Sequence, residues 1–412
     1  MENKETNIEI SNLLYPNVKE IPKDVFKKYP KRSLDKESLV VRFAPSPTGF
    51  LHLGTVYTSL INRKLANQTN GVCILRIEDT DKTREIEGGV ELILNGLSEF
   101  GIEFDESVNG GDYGPYLQSD RVDIYKVFAK DMVARGVAYP CFASPKELDE
   151  IRKKQEELGV RTGYYGSFAK WRDASIEDIK KALDENKKFV IRLRSTGDYE
   201  NKFEFDDEIK GRCTFSENDM DIVLLKSDGL PTYHFAHPID DTLMGINLVI
   251  RTTEWFPSVP IHLEIFDKLN FERINYAHPS PLMIMDNGNK RKLSKRKDPE
   301  ADSRFFLNHG YPVTGIIEYF LNIMNSNFSD WRIQNPDKHY SEFELKLKKF
   351  NKAGALFDMV KLEDVCKDYI ARLSALEVYE KIFQWAQKND LELVKRMEES
   401  REYCVNRIII KY

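Results

Sequence analysis

A doubly wound α/β fold, with helices on both faces of a parallel sheet, is what the sequence from Leu39 onward predicts, and three stretches predict it. Residues 39–43 read as an extended run halted by Pro45 and Pro47, each of which fixes φ and pushes its predecessor away from helix. Beyond them Val56, Leu60, Ile61 and Leu65 recur at helical spacing. Residues 72–77 form a continuous apolar-rich run, as a parallel strand covered on both faces requires. Residues 85–100 return to helical spacing through Ile86, Val90, Ile93 and Leu97. Ligands of such folds sit beyond the carboxyl ends of the strands.

The first strand-to-helix connection carries the strongest local signal. Gly49 and Gly54 permit a tight turn and a close backbone approach, and His52 stands at the mouth of the next helix. A helix N-terminus offers free N–H groups and a partial positive charge, which suit phosphate. The same residues also fit an ordinary connection with a stray histidine. Glu78 and Asp79 lie just past the second strand, where acids serve equally as a helix cap or a solvated turn.

The remaining elements come in order. Residues 1–38 are a polar extension whose Leu13, Leu14, Tyr15, Val25 and Phe26 can pack on the next domain; it carries no functional signal. Residues 140–220 are charged, with a helix at 145–158 and a strand at 189–193, and they interrupt the α/β pattern. Residues 221–225 and 232–237 read as a hairpin around Ser227-Asp228-Gly229. Residues 248–251 are a buried-strand run ending on Arg251; Glu254 and Trp255 then open a helix that carries His262 and Phe266. His262, His278, His309 and His339 have no ligand-like neighbours in sequence and are expected to be structural.

A short strand at 282–285 precedes Asp286-Asn287-Gly288, which turns into a basic stretch. Residues 290–297 contain six basic residues in eight, a pattern shared by solvated charge runs, localisation patches and phosphate loops. From 301 onward the spacing of Ile316, Phe320, Ile323 and Met324 predicts helices. A last helical stretch at 391–397 precedes an apolar run, 405–410, that needs a partner surface.

At roughly 150 residues per domain, 412 residues predict two to four domains. An apolar content of 41% allows sizeable cores. No stretch approaches the roughly 20 apolar residues of a membrane helix, and no secretory h-region opens the chain. The five cysteines, at 73, 141, 213, 366 and 404, are scattered and odd in number, which predicts reduced thiols and a cytoplasmic setting. A net charge of −6 excludes a globally basic nucleic-acid binder, though local patches can still meet phosphates.

The motifs then converge. His52-Leu53-Gly54-Thr55 resembles the HIGH signature of class I aminoacyl-tRNA synthetases, and Lys292-Leu293-Ser294-Lys295-Arg296 resembles their later KMSKS loop. Residues 44–49, Ala-Pro-Ser-Pro-Thr-Gly, with Arg76-Ile77-Glu78-Asp79-Thr80-Asp81, look specifically like the bacterial type of the glutamyl-tRNA synthetase family. The resemblance runs from about residue 39 to about residue 375. It implies a Rossmann-type catalytic domain (39–139 and 221–300), an α+β acceptor-stem-binding insertion (140–220) and a helical stem-contact domain (301–412) after the extension (1–38). Relatives continue into an anticodon-binding domain, which is not expected within these 412 residues.

The resemblance also implies the chemistry. Glutamate is activated by ATP and Mg²⁺ and transferred to tRNA-Glu, with His52 and Lys295 catalytic. Gly49, His52, Gly54, Trp255, Lys292, Leu293, Ser294, Lys295 and Arg296 hold ATP. Arg42 and Arg251 match the carboxylate-binding arginines of the family, Glu78 the residue that takes the substrate amino group, and Ala44, Ser46 and Tyr233 complete the glutamate pocket. Some relatives bind zinc through Cys-x-Cys and Tyr-x-x-x-Cys; here Ala143 and Phe168 replace two of those positions beside Cys141 and Tyr164, so no structural zinc is expected. A monomer is expected. A glutaminyl enzyme fits the motif wording less well, and a glutamyl-queuosine-type enzyme is disfavoured by the helices past 301. Retention of His52, Lys295 and both arginines argues against a non-catalytic ATP- or RNA-binding paralogue.

Overall fold

The computed structural model describes residues 2–82, 86–351 and 354–408. Helices α1 (Glu2–Leu14) and α2 (Pro22–Lys28) open the chain. The extension docks on the body: Leu14 and Val25 are buried, while Leu13 and Phe26 keep more than a third of their surface exposed. Parallel strands β1 (Val40–Phe43) and β2 (Val72–Leu75) flank helix α3 (Leu53–Gln68). Helix α4 spans Gly89–Ser98 and buries Ile93 and Leu97; the expected start at residue 85 lies outside the described residues.

Helix α5 (Val122–Ala134) leads into a second layer. Strands β3 (Ala138–Cys141), β4 (Val190–Leu193) and, further on, β7 (Val223–Leu225) make a three-stranded antiparallel sheet. Between them come α6 (Pro145–Glu157), α7 (Ile176–Asp184) and the hairpin of β5 (Lys202–Asp207) and β6 (Gly211–Ser216). Ser144 and Ser175 start the two helices as capping boxes with Glu147 and Asp178. This sheet straddles both 140 and 220, because β3 begins before the one and β7 ends after the other.

Residues 232–237 are not the second half of a hairpin. Helix α8 (Tyr233–Leu243) begins there, with the Thr232 carbonyl accepting from the Phe235 and Ala236 N–H groups. Tertiary burial of Phe235, Ile239 and Leu243 along one face overrides the local alternation. Parallel strands β8 (Leu248–Ile250) and β9 (Asn275–Ala277) enclose helix α9 (Val259–Leu269). The Asn247 N–H donates to the Val40 carbonyl at 3.1 Å, which sets β8 beside β1. Period-two alternation then sorts the side chains of this sheet. Val41, Cys73, Leu75, Leu248 and Ile250 face one core, and Val40, Ile74, Val249 and Tyr276 face the other.

Strands β10 (Leu282–Asp286) and β11 (Asn289–Lys292) form a tight hairpin through Asn287 and Gly288, both at positive φ. The first three basic residues of the 290–297 stretch therefore lie on a strand, and only the remainder is loop. Helices α10 (Ser303–Asn308), α11 (Val313–Met324), α12 (Phe328–Gln334), α13 (Met359–Ala371), α14 (Ala375–Asn389) and α15 (Leu391–Glu399) make up the C-terminal part. Of the apolar run at 405–410, Val405 is half-buried, and residues 409–410 lie outside the described residues.

Alternation on β1 and β2 also drives two arginines inside. Arg42 lies on the same face as Val40, and Arg76 follows Ile74 by two; both point toward α8, whose Asp240 and Asp241 receive them. Asp240 accepts from Arg121 at 2.7 Å, Tyr125 at 2.8 Å and Gln118 at 3.0 Å. Removing one partner of a buried ion pair leaves the other charge stranded. Asp240→Ala should therefore cost about 3–5 kcal/mol in urea unfolding. A loss below about 1 kcal/mol, the range of exposed pairs, would contradict this account of the core.

Candidate active site

One open cavity of about 390 Å³ gathers most of the expected residues. Arg42, Ala44 and Ser46 reach it from the end of β1 and the loop beyond; His52 and Gly54 from the mouth of α3; Glu78 from past β2. Tyr233 enters as the first residue of α8, Arg251 directly follows β8, Trp255 sits on the 3₁₀ turn Thr253–Ser258, and Lys292 ends β11. These are carboxyl-end positions of the parallel sheet, where such folds bind ligands.

Gly49, Leu293, Ser294, Lys295 and Arg296 do not line the cavity. Leu293 is buried beneath the loop, while Lys295 and Arg296 are exposed. The loop is nevertheless tethered to the cavity mouth. The Lys295 ammonium donates to the Phe50 carbonyl, and its Nζ lies 4.0 Å from where a Cβ on Gly49 would stand. Gly49 itself has φ of +131°, a conformation open to glycine. Lys292 is held by both carboxylate oxygens of Glu254, at 2.6 and 2.7 Å, and Glu254 also lines the cavity. Arg291 is structural: it bridges Asp286 at 2.6 Å and Asp298 at 2.7 Å, fastening the hairpin to the loop.

His52 caps α3. Its Nδ1 accepts from the Gly54 N–H at 2.8 Å, which leaves Nε2–H to donate to the Leu293 carbonyl at 3.2 Å. Burial, with Lys295 and Lys292 nearby, lowers its pKa, so it acts as a neutral donor. A Cβ on Gly54 would stand 3.0 Å from His52 Nδ1, so glycine there lets the ring sit close to the helix mouth.

The two cavity arginines differ in kind. Arg42 is 3% exposed and already paired, its Nε donating to Asp241 at 3.0 Å. Burial alone would raise the pKa of Asp241, but Arg42, Arg76 and His237 hold it well below the usual carboxylate range. Among the described residues Arg251, 5% exposed, has only neutral partners: Nε donates to His278 at 3.0 Å, and Nη1 to His262 at 2.9 Å and Tyr233 at 3.1 Å. Its Nη2 is buried and has no described hydrogen-bond partner. Burial pushes the Glu78 carboxyl up to about 7 against the pull of Arg76 and Arg42. Asp79 turns away and accepts from the Ser119 N–H at 2.8 Å, a structural task.

Sequence reasoning misses most of what the histidines do. His309 and His339 do make only local contacts, but His262 and His278 hold Arg251, and His237 bridges Asp241 at 2.6 Å to the Tyr276 hydroxyl at 2.7 Å. Asp207, Asp240, Asp241 and Glu254 are missed as well, since countercharges far apart in sequence leave no local pattern. The four positions compared with a zinc site do come together: Cys141 and Tyr164 share a 3.5 Å hydrogen bond, and Ala143 and Phe168 pack in the same small core. One thiol and one phenol among apolar side chains do not fit a four-ligand site.

Residues 38–364 match the family described as class I tRNA synthetases (E and Q), catalytic domain. The chain is 48% identical over 396 residues to the glutamate-tRNA ligase of Clostridium beijerinckii, covering 95% of this chain and 72% of that one. It belongs to the glutamate-tRNA ligases. The ligase of Clostridium perfringens is likewise 48% identical over 389 residues, with coverage of 93% and 71%. Among solved structures, glutamate-tRNA synthetase from Elizabethkingia anophelis superposes with a TM-score of 0.74 at 33% identity, over 90% of this chain and 77% of that one. A glutamate-tRNA ligase from Elizabethkingia meningosepticum, solved in complex with its amino acid, gives the same TM-score at 32% identity over 86% and 74%. The mixed α/β fold, with its parallel sheet and C-terminal helices, is thus that of the ligase family.

Proposed function

We infer that this chain activates L-glutamate with ATP as an adenylate and passes the glutamyl group to tRNA-Glu. One observation carries the reading: the cavity joins Arg251, a buried guanidinium with no anionic partner among the described residues, to the mouth of α3 and to Lys292, from which the basic loop departs. Two kinds of anion are called for, a carboxylate at one end and phosphates at the other.

The nucleophile is the substrate's own α-carboxylate, so the protein has no proton to abstract. Its task is positioning, and donors aimed at the charge that develops on the α-phosphate. His52 offers Nε2–H once the Leu293 carbonyl moves aside, and Lys295 and Lys292 supply cations from the loop, with Arg296 as a helper. Gly49, Gly54, Trp255, Leu293 and Ser294 shape the ATP site around them. Mg²⁺ would arrive on the ATP phosphates with water ligands, because no group of three His, Cys, Asp or Glu among the described residues could hold it.

The side-chain carboxylate of glutamate goes to Arg251, with Arg42 behind it. Arg42 contributes less net attraction because it is already paired with Asp241, a carboxylate it shares with Arg76. Glutamine would leave Arg251 without an anion, and a buried charge left unmatched discriminates strongly. Glu78 receives the substrate ammonium, and Ala44, Ser46 and Tyr233 complete the pocket. The insertion and the C-terminal helices hold the RNA mainly by its backbone and shape. We take the enzyme to work as a monomer in the cytoplasm, a setting that suits five scattered cysteines, three of them buried.

ATP–pyrophosphate exchange with tRNA-Glu present should depend on glutamate and not on glutamine or aspartate; exchange driven equally by glutamine would overturn the reading. Lys295→Ala should lower kcat of that exchange by roughly a hundredfold, about 3 kcal/mol, with little change in KM for glutamate, and near-normal turnover would remove Lys295 from the mechanism. The pH dependence has a definite sign. Glu78 binds an ammonium only when ionised, and its pKa of about 7 in the free enzyme makes that ionisation incomplete at neutral pH. KM for glutamate should therefore rise about tenfold as pH falls from 8 to 6. Glu78→Gln should flatten that profile at a raised KM; an unchanged profile in the variant would assign the titration elsewhere.

A further inference from the structure

Arg251 is held by a directional chain of hydrogen bonds. Asp207, at the end of β5, can only accept, so His278 donates to it through Nδ1–H at 2.6 Å. His278 Nε2 is then the acceptor that receives Arg251 Nε–H at 3.0 Å. Arginine has no acceptor, so His262 Nδ1 must likewise accept from Arg251 Nη1, at 2.9 Å. His262 is left with Nε2–H, which donates to His234 Nδ1 at 2.9 Å. Only neutral imidazoles satisfy every link, because an imidazolium at 262 or 278 would set N–H against N–H. Burial and the Arg251 charge both act in that direction, lowering the pKa of His262 far below the ordinary value and that of His278 less far.

The arrangement solves a specific problem. A buried arginine needs acceptors to hold its orientation, and the strongest acceptor is a carboxylate. A carboxylate in direct contact would also neutralise Arg251 and compete with an anionic substrate. Here the Asp207 carboxylate is separated from Arg251 by the width of one imidazole ring, and the Arg251 guanidinium carbon lies 4.6 Å above the neutral Tyr276 ring. Arg42 shows the opposite solution, a direct carboxylate at 3.0 Å.

We propose that His262 and His278 are positioning residues that fix the Arg251 guanidinium while leaving its charge unbalanced, and that this neutral clamp determines the preference for an anionic amino-acid side chain. The proposal rests on the reading that Arg251 receives the side-chain carboxylate of glutamate. It deepens that reading by assigning specificity to residues that need not touch the substrate.

An isosteric pair of substitutions tests it in the full chain. Asparagine and aspartate are nearly equal in size, so His262→Asn and His262→Asp both place an oxygen near the former Nδ1 and both lose the bond to His234; they differ in charge and in the amide N–H donors that only asparagine carries. The readouts are KM for glutamate, KM for ATP and the ratio of exchange with glutamate to exchange with glutamine, all with tRNA-Glu present. His262→Asn should keep KM for glutamate within about threefold of the parent. His262→Asp should raise it about tenfold or more and lower the glutamate-to-glutamine ratio, with KM for ATP unchanged in both. Equal impairment by the two variants, or none by either, overturns the proposal. If position 262 does not tolerate change, His278→Gln and His278→Glu repeat the comparison at the Nε2 side. A parent enzyme without glutamate-dependent exchange would instead refute the underlying function, so the two failures are distinguishable.

Discussion

Two adjacent carboxylates on one helix, Asp240 and Asp241, make the centre of this protein possible. Strand alternation sends Arg42 and Arg76 into a core face where an isolated charge could not remain. Helix α8 meets Arg76 with both acids, Arg42 with Asp241 and Arg121 with Asp240. Without that neutralisation, β1 and β2 could not lie against α8, and neither the mouth of α3 nor Glu78 would sit where it does. The N-terminal extension joins the same network, since Arg121 also donates to the Tyr29 hydroxyl at 3.1 Å.

Beside these paired arginines, Arg251 stands out as a buried cation without a counter-ion among the described residues. A site that must bind an anion benefits from a charge that is oriented before the ligand arrives, because no reorganisation is then required on binding. Neutral histidines and a tyrosine supply orientation without cancelling charge. The β5–β6 hairpin contributes the far end of that support: Asp207 binds His278, and the Glu208 N–H donates to the Tyr276 carbonyl at 2.9 Å. The β5–β6 hairpin thus braces the wall of the cavity at Arg251.

Much of this is legible in the sequence where chemistry is local. Pro45, Pro47, Gly49 and His52 announce a strand, a turn and a helix mouth through their own backbone preferences, and the α/β rhythm comes from hydrophobic periodicity. Arg42, Glu78, Tyr233 and Arg251 lie far apart in sequence and are grouped there only by resemblance; they share one cavity. What stays hidden depends on partners distant along the chain. Alternation at 232–237 reads as a strand because the helical face of Phe235, Ile239 and Leu243 acquires meaning only when packed. His262 and His278 read as merely structural because a histidine that accepts from arginine has no spacing signature. The Asn287-Gly288 pair does carry a hairpin signal, which the basic run after it masks.

If Arg251 receives a carboxylate while Arg42 stays committed to Asp241, a crystal structure of this chain with glutamate and ATP bound will show both. The glutamate side-chain carboxylate should lie within about 3 Å of the Arg251 guanidinium, with the substrate ammonium on Glu78 and the contacts from His262 and His278 intact. A bound glutamate whose side-chain carboxylate lies elsewhere, with Arg251 still held only by its neutral partners, would contradict this placement.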